Sequence, residues 1–197
     1  LVMQLPPADR STAWETADFT NKEPNAFALP GGKVGENTGI FTVAKNQDQL
    51  AAVLAHEIGH VVEHHHDERI TRQMGASVLV QGIGALVGAK YGQGGADMAS
   101  QGSGLLAQTG FLLPGSRTQE TEADVVGQRL MANAGFNPEQ AVNLWENMMV
   151  ASGGRQPERL STHPDPQSRI QELRSRASSL LPTYEQARKS GRTPKCG

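Results

Sequence analysis

Apolar residues recur at helical spacing in the segment that follows Asn46. They fall on one helix face: Leu50, Val53, Leu54, Ile58, Val61 and Val62. Asn46 and Gln49 have the spacing of a capping box, which starts a helix. No proline or strong stop signal follows before Gly75. The pattern therefore predicts one amphipathic helix from about Gln47 into the seventies.

The rest of the chain predicts further helices and one small sheet. Short apolar alternations flank the turn residues Pro30-Gly31-Gly32, and they predict a β-hairpin or small meander within residues 25–43. Capping and proline signals predict three more helices: from about Arg117 to Ala134 with Gly135 as C-cap, from Asn137-Pro138 onward with a core face of Val142, Leu144, Trp145, Met148 and Met149, and from Asp165-Pro166 to about Leu180. The expected fold class is α+β, mainly α.

Length and composition narrow the possible classes of protein. The 197 residues fit a single domain, with a core of about residues 24–181 and a tail of 182–197. The net charge of −2 gives no basic field for nucleic acid. The single Cys196 cannot close an internal disulfide. Residues 75–116 are Gly-rich and nearly uncharged, and we expect them to act either as a lid or as an assembly surface. Within them, Val78–Ala89 is too short and too Gly-rich to span a bilayer.

Residues 56–60, His-Glu-Ile-Gly-His, form an H-E-x-x-H motif on the predicted helix. Histidines at this spacing lie about 40° apart around a helix and one turn apart along it, so both imidazoles can reach one metal ion. Glu57 lies about 100° round the helix from His56, where it can act as a base toward water without binding the metal. The motif predicts metal-assisted hydrolysis.

The histidines that follow are predicted to be a polar, partly exposed helix end. His66 has the spacing of a third ligand in a longer metalloprotease motif, but Glu63 stands where that motif has a turn glycine. Without the turn the helix continues, and His66 lies about 9 Å along the axis from His60. His64 could pair with His60, whereas His65 points elsewhere.

A carboxylate in the next helix is a better third ligand. Glu120 and Asp124 share a helix face, while Glu122 lies about 200° from Glu120. One face can therefore present Glu120 to a zinc ion and Asp124 to the second nitrogen of a ligand histidine. The alternative is that the three acids only complement the helix dipole.

Four segments, in this order, resemble the signatures of a known family: NAFALPGGKV, LAAVLAHEIGHVVEHH, SRTQETEADVVGQRLMANAGFNP and STHPDPQSRIQEL. They are similar to the HtpX-like and CAAX-prenyl-protease (Ste-type) zinc metallopeptidases over about residues 24–175. The chain most resembles the soluble bacterial periplasmic LoiP/BepA-like branch, because the membrane helices of HtpX are missing.

The resemblance implies a zincin-like fold of the gluzincin kind with one Zn²⁺ per chain. It implies that His56, His60 and Glu120 hold the metal, that Glu57 is the general base, and that Asp124 supports a ligand histidine. It also implies a periplasmic protein, which a lipid could anchor in its full-length precursor, that hydrolyses unfolded or damaged polypeptides in envelope quality control. On this resemblance, the protein would act close to a membrane or to the site of outer-membrane assembly. The oligomeric state is left open.

The same resemblance directs attention to His163 and Arg169. His163 either stabilises the oxyanion of the reaction, or occupies the open zinc position and keeps the enzyme latent, or is an ordinary loop histidine near a helix cap. Arg169 braces the loop of His163 or an acid such as Glu120, or it is a surface arginine. The hairpin edge at Ala26, Phe27, Ala28 and Leu29 could pair with an extended substrate backbone. Two alternatives stay open: a chaperone-like module with a blocked zinc site, and a helical interaction protein without metal.

Overall fold

A computed structural model describes residues 1–65, 67–68, 71, 117–151 and 166–196. The chain divides into two compact units, residues 1–64 with 115–197, and residues 65–114. The first unit contains five α-helices, three strands and two 3-10 turns in its described part: Val2–Gln4 (3-10), α1 Pro7–Arg10, β1 Glu15–Phe19, β2 Ala26–Leu29, β3 Lys33–Asn37, Thr38–Thr42 (3-10), α2 Gln47–Val62, α3 Arg117–Ala134, α4 Gln140–Ala151 and α5 Pro166–Lys189. This mainly helical fold with a small sheet confirms the expected class, while the prediction of a single domain stays a prediction.

The three strands form one sheet in the order β1-β3-β2. β2 and β3 are antiparallel and joined through Gly31 and Gly32, whose φ angles of 81° and 79° suit glycine. The predicted hairpin is therefore confirmed. β1 pairs with β3 in parallel and was not predicted. All five residues of β1 are exposed. Such a strand does not need apolar residues at alternate positions, and this alternation is the signal by which a half-buried strand is predicted.

The two faces of the sheet differ in their surroundings. Ala26 and Ala28 of β2 are buried, whereas Phe27 and Leu29 between them are exposed. On the outer face, the Phe27 ring lies so close to Gly35 that a Cβ there would stand 2.5 Å from the ring. Glycine at this position leaves room for the aromatic side chain, whose centroid is 5.7 Å from that of Phe19.

Helix α2 begins where the sequence predicted and ends much earlier. The Asn46 side chain accepts a hydrogen bond from the Gln49 backbone N–H at 2.9 Å, which caps the start. The end comes at Val62, not in the seventies, so that prediction was wrong. His64 adopts a left-handed φ of 55°, a conformation that histidine enters more readily than most non-glycine residues. A helix can therefore break here without a glycine.

α3 and α5 begin where the sequence predicted, whereas α4 begins at Gln140, two residues after the predicted Pro138. α3 ends at Ala134, and Gly135 follows with a φ of 84°, as a C-cap glycine does. α5 extends beyond the predicted end near Leu180, through Pro182 to Lys189, and it buries Ala187. In the described part of the chain, no helix is both long and apolar enough to cross a membrane.

Candidate metal centre

Helices α2 and α3 approach each other closely because each has a glycine at the contact. A Cβ on Gly59 would lie 2.7 Å from the backbone oxygen of Ala123. A Cβ on Gly127 would lie 3.1 Å from the backbone of Ala55 and His56. Larger residues would force the two backbones apart. These glycines therefore set the separation between the helix of the two histidines and the helix of Glu120.

Three potential ligand side chains meet at this crossing. His56 and His60 come from α2 and Glu120 from α3, and all three are buried, Glu120 completely (0% exposed). Their ligand atoms lie within 4.8 Å of one another. The two Nε2 atoms are 3.1 Å apart. Oε2 of Glu120 lies 3.4 Å from His56 Nε2, and Oε1 lies 3.5 Å from His60 Nε2.

These spacings fit a tetrahedral zinc ion. Zn²⁺ bonds of about 2.0–2.1 Å in tetrahedral geometry place neighbouring ligand atoms about 3.3–3.4 Å apart. The observed separations of 3.1, 3.4 and 3.5 Å are close to this edge length. Two histidines and one glutamate are also a known ligand set of catalytic zinc, which leaves a fourth position for water or substrate. The side chains present therefore fit the metal that the sequence predicted.

Asp124 orients the imidazole of His56. Its Oδ1 lies 2.9 Å from His56 Nδ1. Burial alone would raise the pKa of Asp124, but the charge of Arg169 and the hydrogen bonds from His56 and Arg169 lower the pKa to about 2. The ionised carboxylate can only accept, so Nδ1 of His56 carries the proton and donates it. The Nε2 atom then faces Glu120 and His60 as the ligand atom.

The same contact affects the protonation of His56. Burial lowers the pKa of His56, but the hydrogen bonds to Asp124 and Glu120 outweigh burial and raise it above the ordinary value. A metal ion binds only the neutral ring, so metal and proton compete for Nε2.

Arg169 is the cation that balances the two acids of α3. It is buried, and its Nε and Nη2 donate to the two oxygens of Asp124, each at 2.7 Å. Its Nη1 forms an ion pair with Glu120 at 2.9 Å. Burial lowers the pKa of Arg169, but the charges of Asp124 and Glu120 outweigh burial. The pKa therefore lies above its ordinary value, and the guanidinium stays charged. The structure thus brings Arg169 to an acid, as one of the predictions had it, and its burial excludes a surface arginine.

Gln128 connects the helices that carry these groups. Its Nε2 donates to the backbone oxygens of Pro138 at 3.2 Å and Leu173 at 2.9 Å. Arg176 donates to its Oε1 at 3.0 Å. One buried amide on α3 thus joins the start of α4 and the middle of α5. This connection keeps α5, and with it Arg169, in register with Asp124.

Glu57 is almost completely buried (1% exposed) beside His56 on α2. Its charge contributes to the raised pKa of Arg169, so it lies within electrostatic reach of the same group. Its role as a base stays a prediction. His163, His66 and the Gly-rich residues 75–116 lie outside the described residues.

Two parts of the interpretation of the trailing histidines change. His64 is exposed, as expected for a polar helix end, but His65 is buried, so the expected exposure was wrong for that residue. The argument against His66 assumed an unbroken helix, and the break at His64 removes that assumption.

Sequence reasoning did not assign Gly59, Gly127, Gln128 or Trp145 to the site. Gly59 occupies a variable position of the motif, and its importance follows only from the distance to Ala123. Trp145 was predicted as a core residue on the apolar face of α4. It is buried, and its ring also contacts the guanidinium of Arg169 and the ring of His56. An apolar face at helical spacing does not reveal such a contact.

Two helices that present a His-His-Glu cluster beside a small sheet define a zincin-like metallopeptidase fold. The sequence model of Peptidase family M48 matches residues 4–177, and the chain belongs to that family. The predicted class, a metallopeptidase, is therefore confirmed at the level of the family. The narrower resemblance to HtpX-like and Ste-type members is not decided by this match.

Named relatives agree with this assignment. The chain is 41% identical over 162 residues to mitochondrial metalloendopeptidase OMA1 of Schizosaccharomyces pombe, covering 81% of this chain and 45% of that protein. It is 33% identical over 180 residues to the β-barrel assembly-enhancing protease of Escherichia coli K12, covering 86% and 35%. It is 34% identical over 171 residues to OMA1 of Saccharomyces cerevisiae, covering 83% and 46%. The chain thus spans between about a third and a half of the length of these relatives.

Proposed function

We propose that this chain forms the catalytic part of a zinc-dependent endopeptidase that cleaves unfolded or damaged polypeptides. The single observation that carries this proposal is the buried His56–His60–Glu120 cluster with spacings that fit zinc. Membership of a metallopeptidase family supports the same activity. One zinc ion per chain is expected, held by these three residues.

Each residue of the site has a separate role in the proposed hydrolysis. Zinc, when bound, supplies a Lewis acid that brings the pKa of water near 7. Glu57 accepts the proton of the attacking water and passes it to the leaving amine, as a buried carboxylate next to the ligands can do. Asp124 keeps Nδ1 of His56 protonated, so that Nε2 stays available. Arg169 holds the carboxylates of Asp124 and Glu120 in place. His163 remains a candidate for stabilising the oxyanion.

The β2 edge is the proposed binding site for the substrate backbone. β2 has β3 on one side and is the last strand of the sheet in the order β1-β3-β2. An extended peptide could add to its other side by main-chain pairing, which tolerates many sequences. The backbone N–H of Ala26 already donates to Asn25 Oδ1 at 2.9 Å. Ala28 is buried, so it would contribute mainly backbone, whereas the exposed side chains of Phe27 and Leu29 could touch the substrate. Such pairing requires an extended segment, which unfolded proteins supply.

The proposed compartment is the bacterial envelope. The similarity to a β-barrel assembly-enhancing protease supports this location and a role near outer-membrane assembly, within the LoiP/BepA-like branch. The chain is also similar to a metalloendopeptidase that is named as mitochondrial, so a mitochondrial location is the alternative. A latent or chaperone-like protein, with His163 in the fourth zinc position, is the alternative.

Cleavage of a denatured protein substrate by wild type and Glu57→Gln tests the activity. We expect the variant to lose at least about 100-fold in kcat, because general-base assistance contributes about that much or more. Glu63→Gln is the matched control, since Glu63 is an exposed acid just after the same helix. Equal cleavage by wild type and Glu57→Gln would contradict the proposal. No cleavage by wild type together with activity in His163→Ala would favour the latent protein.

A further inference from the structure

We infer that Trp145 is a positioning residue for the metal ligands, acting through Arg169 and His56. The inference rests on the proposed metal site. Trp145 lies on α4, which contributes no proposed ligand and no proposed base. Its side chain nevertheless contacts both a ligand histidine and the arginine that holds the other site residues.

The first contact is with the guanidinium of Arg169. The Cζ atom of Arg169 lies 4.2 Å from the centroid of the Trp145 ring, within the range of a cation–π interaction. The hydrogen bonds of a guanidinium lie in its plane, so they leave its two faces without polar partners. Tryptophan has the most favourable ring for covering such a face. Trp145 therefore stabilises a charge that the protein has removed from water.

The second contact is with His56. The two ring centroids lie 6.4 Å apart with an interplanar angle of 85°, an edge-to-face arrangement. The void bordered by Trp145, His56 and Asp124 measures only about 10 Å³, at the lower limit of the space for one water. The ring of Trp145 and the small size of this void thus limit movement of the imidazole.

Through these contacts Trp145 can affect the ligands in addition to packing in the core. Arg169 reaches Asp124 at 2.7 Å and Glu120 at 2.9 Å, so a shift of the guanidinium would move both acids. Met148 is buried on the same helix and belongs to the same hydrophobic core, but it is not among the residues that line this void. Comparing variants of Trp145 and Met148 therefore separates the effect of positioning the ligands from the effect of core packing.

The test compares zinc affinity in Trp145→Leu and Met148→Ala. Affinity is measured by competition with a chromophoric chelator, and folding is followed by urea unfolding. Outer partners of metal ligands typically change affinity by about 10- to 100-fold. We expect Trp145→Leu to bind zinc at least tenfold more weakly than Met148→Ala, although both lower the urea midpoint. We expect Trp145→Phe, which keeps a ring, to recover most of the affinity.

A smaller difference between Trp145→Leu and Met148→Ala would overturn the inference. If Trp145→Leu does not fold, Trp145→Met takes its place, because methionine adapts to irregular spaces. The absorption spectrum of bound Co²⁺ provides a second readout, since it reports ligand geometry. We expect it to change in Trp145→Leu and to stay unchanged in Met148→Ala. Wild-type protein that binds zinc but cleaves no peptide would contradict the proposed function and leave this inference standing.

Discussion

Two buried carboxyl groups in this protein have pKa values that are shifted in opposite directions. Asp124 on α3 is 5% exposed, and Glu36 on β3 is 9% exposed. Burial raises the pKa of Glu36, and the hydrogen bond and negative charge of Asp18 raise it further, to about 7. Burial acts on Asp124 in the same direction, but the charge of Arg169 reverses the effect and brings its pKa to about 2.

Burial raises the pKa of both acids, so the difference between them comes from their neighbours: Arg169 and His56 outweigh burial at Asp124, whereas Asp18 adds to burial at Glu36. Asp18 and Glu36 are direct partners in the parallel pairing of β1 and β3, so two acids share one face of the sheet. Asp124 faces a guanidinium and a histidine. A carboxylate that is always ionised can fix a histidine tautomer, whereas one that titrates near pH 7 makes the sheet sensitive to pH.

Removing Arg169 should have the largest effect. Arg169→Met leaves the carboxylates of Asp124 and Glu120 buried without their cation, and we expect a loss of about 3–5 kcal/mol in the free energy of unfolding. Urea unfolding of metal-free protein at pH 7 measures this loss. Arg174→Met is the control, because its ion pair with Glu146 is exposed and should contribute less than about 1 kcal/mol. Equal losses in the two variants would mean that Arg169 does not balance a buried charge.

Replacing Glu36 should stabilise the protein above neutral pH. The folded state holds a proton on Glu36 up to about pH 7, while an ordinary glutamate releases it near pH 4.5. Since the folded state binds more protons between these values, its stability falls as pH rises from about 4.5 to about 7. Glu36→Gln should remove this dependence and add about 1–3 kcal/mol at pH 8.

The free energies of unfolding of Glu36→Gln and wild type are compared by urea unfolding at pH 5 and at pH 8. The two proteins should differ little at pH 5 and clearly at pH 8. A gain of the same size at both pH values would show that packing, and not ionisation, separates the two proteins.

Replacing Asp18 should have the smallest effect. Burial is the main cause of the raised pKa of Glu36, and Asp18 adds to it. Asp18→Asn should therefore lower the pKa of Glu36 only in part and stabilise the protein by less than about 1 kcal/mol at pH 8, again measured by urea unfolding. A gain as large as that of Glu36→Gln would make the neighbouring acid the main cause instead.

The sequence predicted those features that depend on local spacing. His56, His60 and Glu120 were found because residues one turn apart share a helix face, and the structure brings them together. The hairpin and the starts of α2 and α3 have turn and cap residues that can be recognised without a structure.

Features that depend on contacts between distant segments were not predictable in this way. The left-handed backbone at His64 ends α2 without a glycine or proline signal. Gly59 matters only because α3 packs against it. β1 forms because it pairs with β3, although all of its side chains are exposed. The placement of Trp145 over Arg169 joins two helices whose separation in the sequence gives no hint of contact.

Zinc content after gentle purification and dialysis against zinc tests the central claim most directly. Wild type and Glu120→Gln are compared, because Glu120 is the proposed ligand that the second helix supplies. We predict one zinc ion per chain in wild type and at least about tenfold weaker binding in the variant, since a neutral amide is a poorer zinc ligand than a carboxylate. Wild-type protein without stoichiometric zinc, or equal retention of zinc by both proteins, would contradict the proposed metal centre.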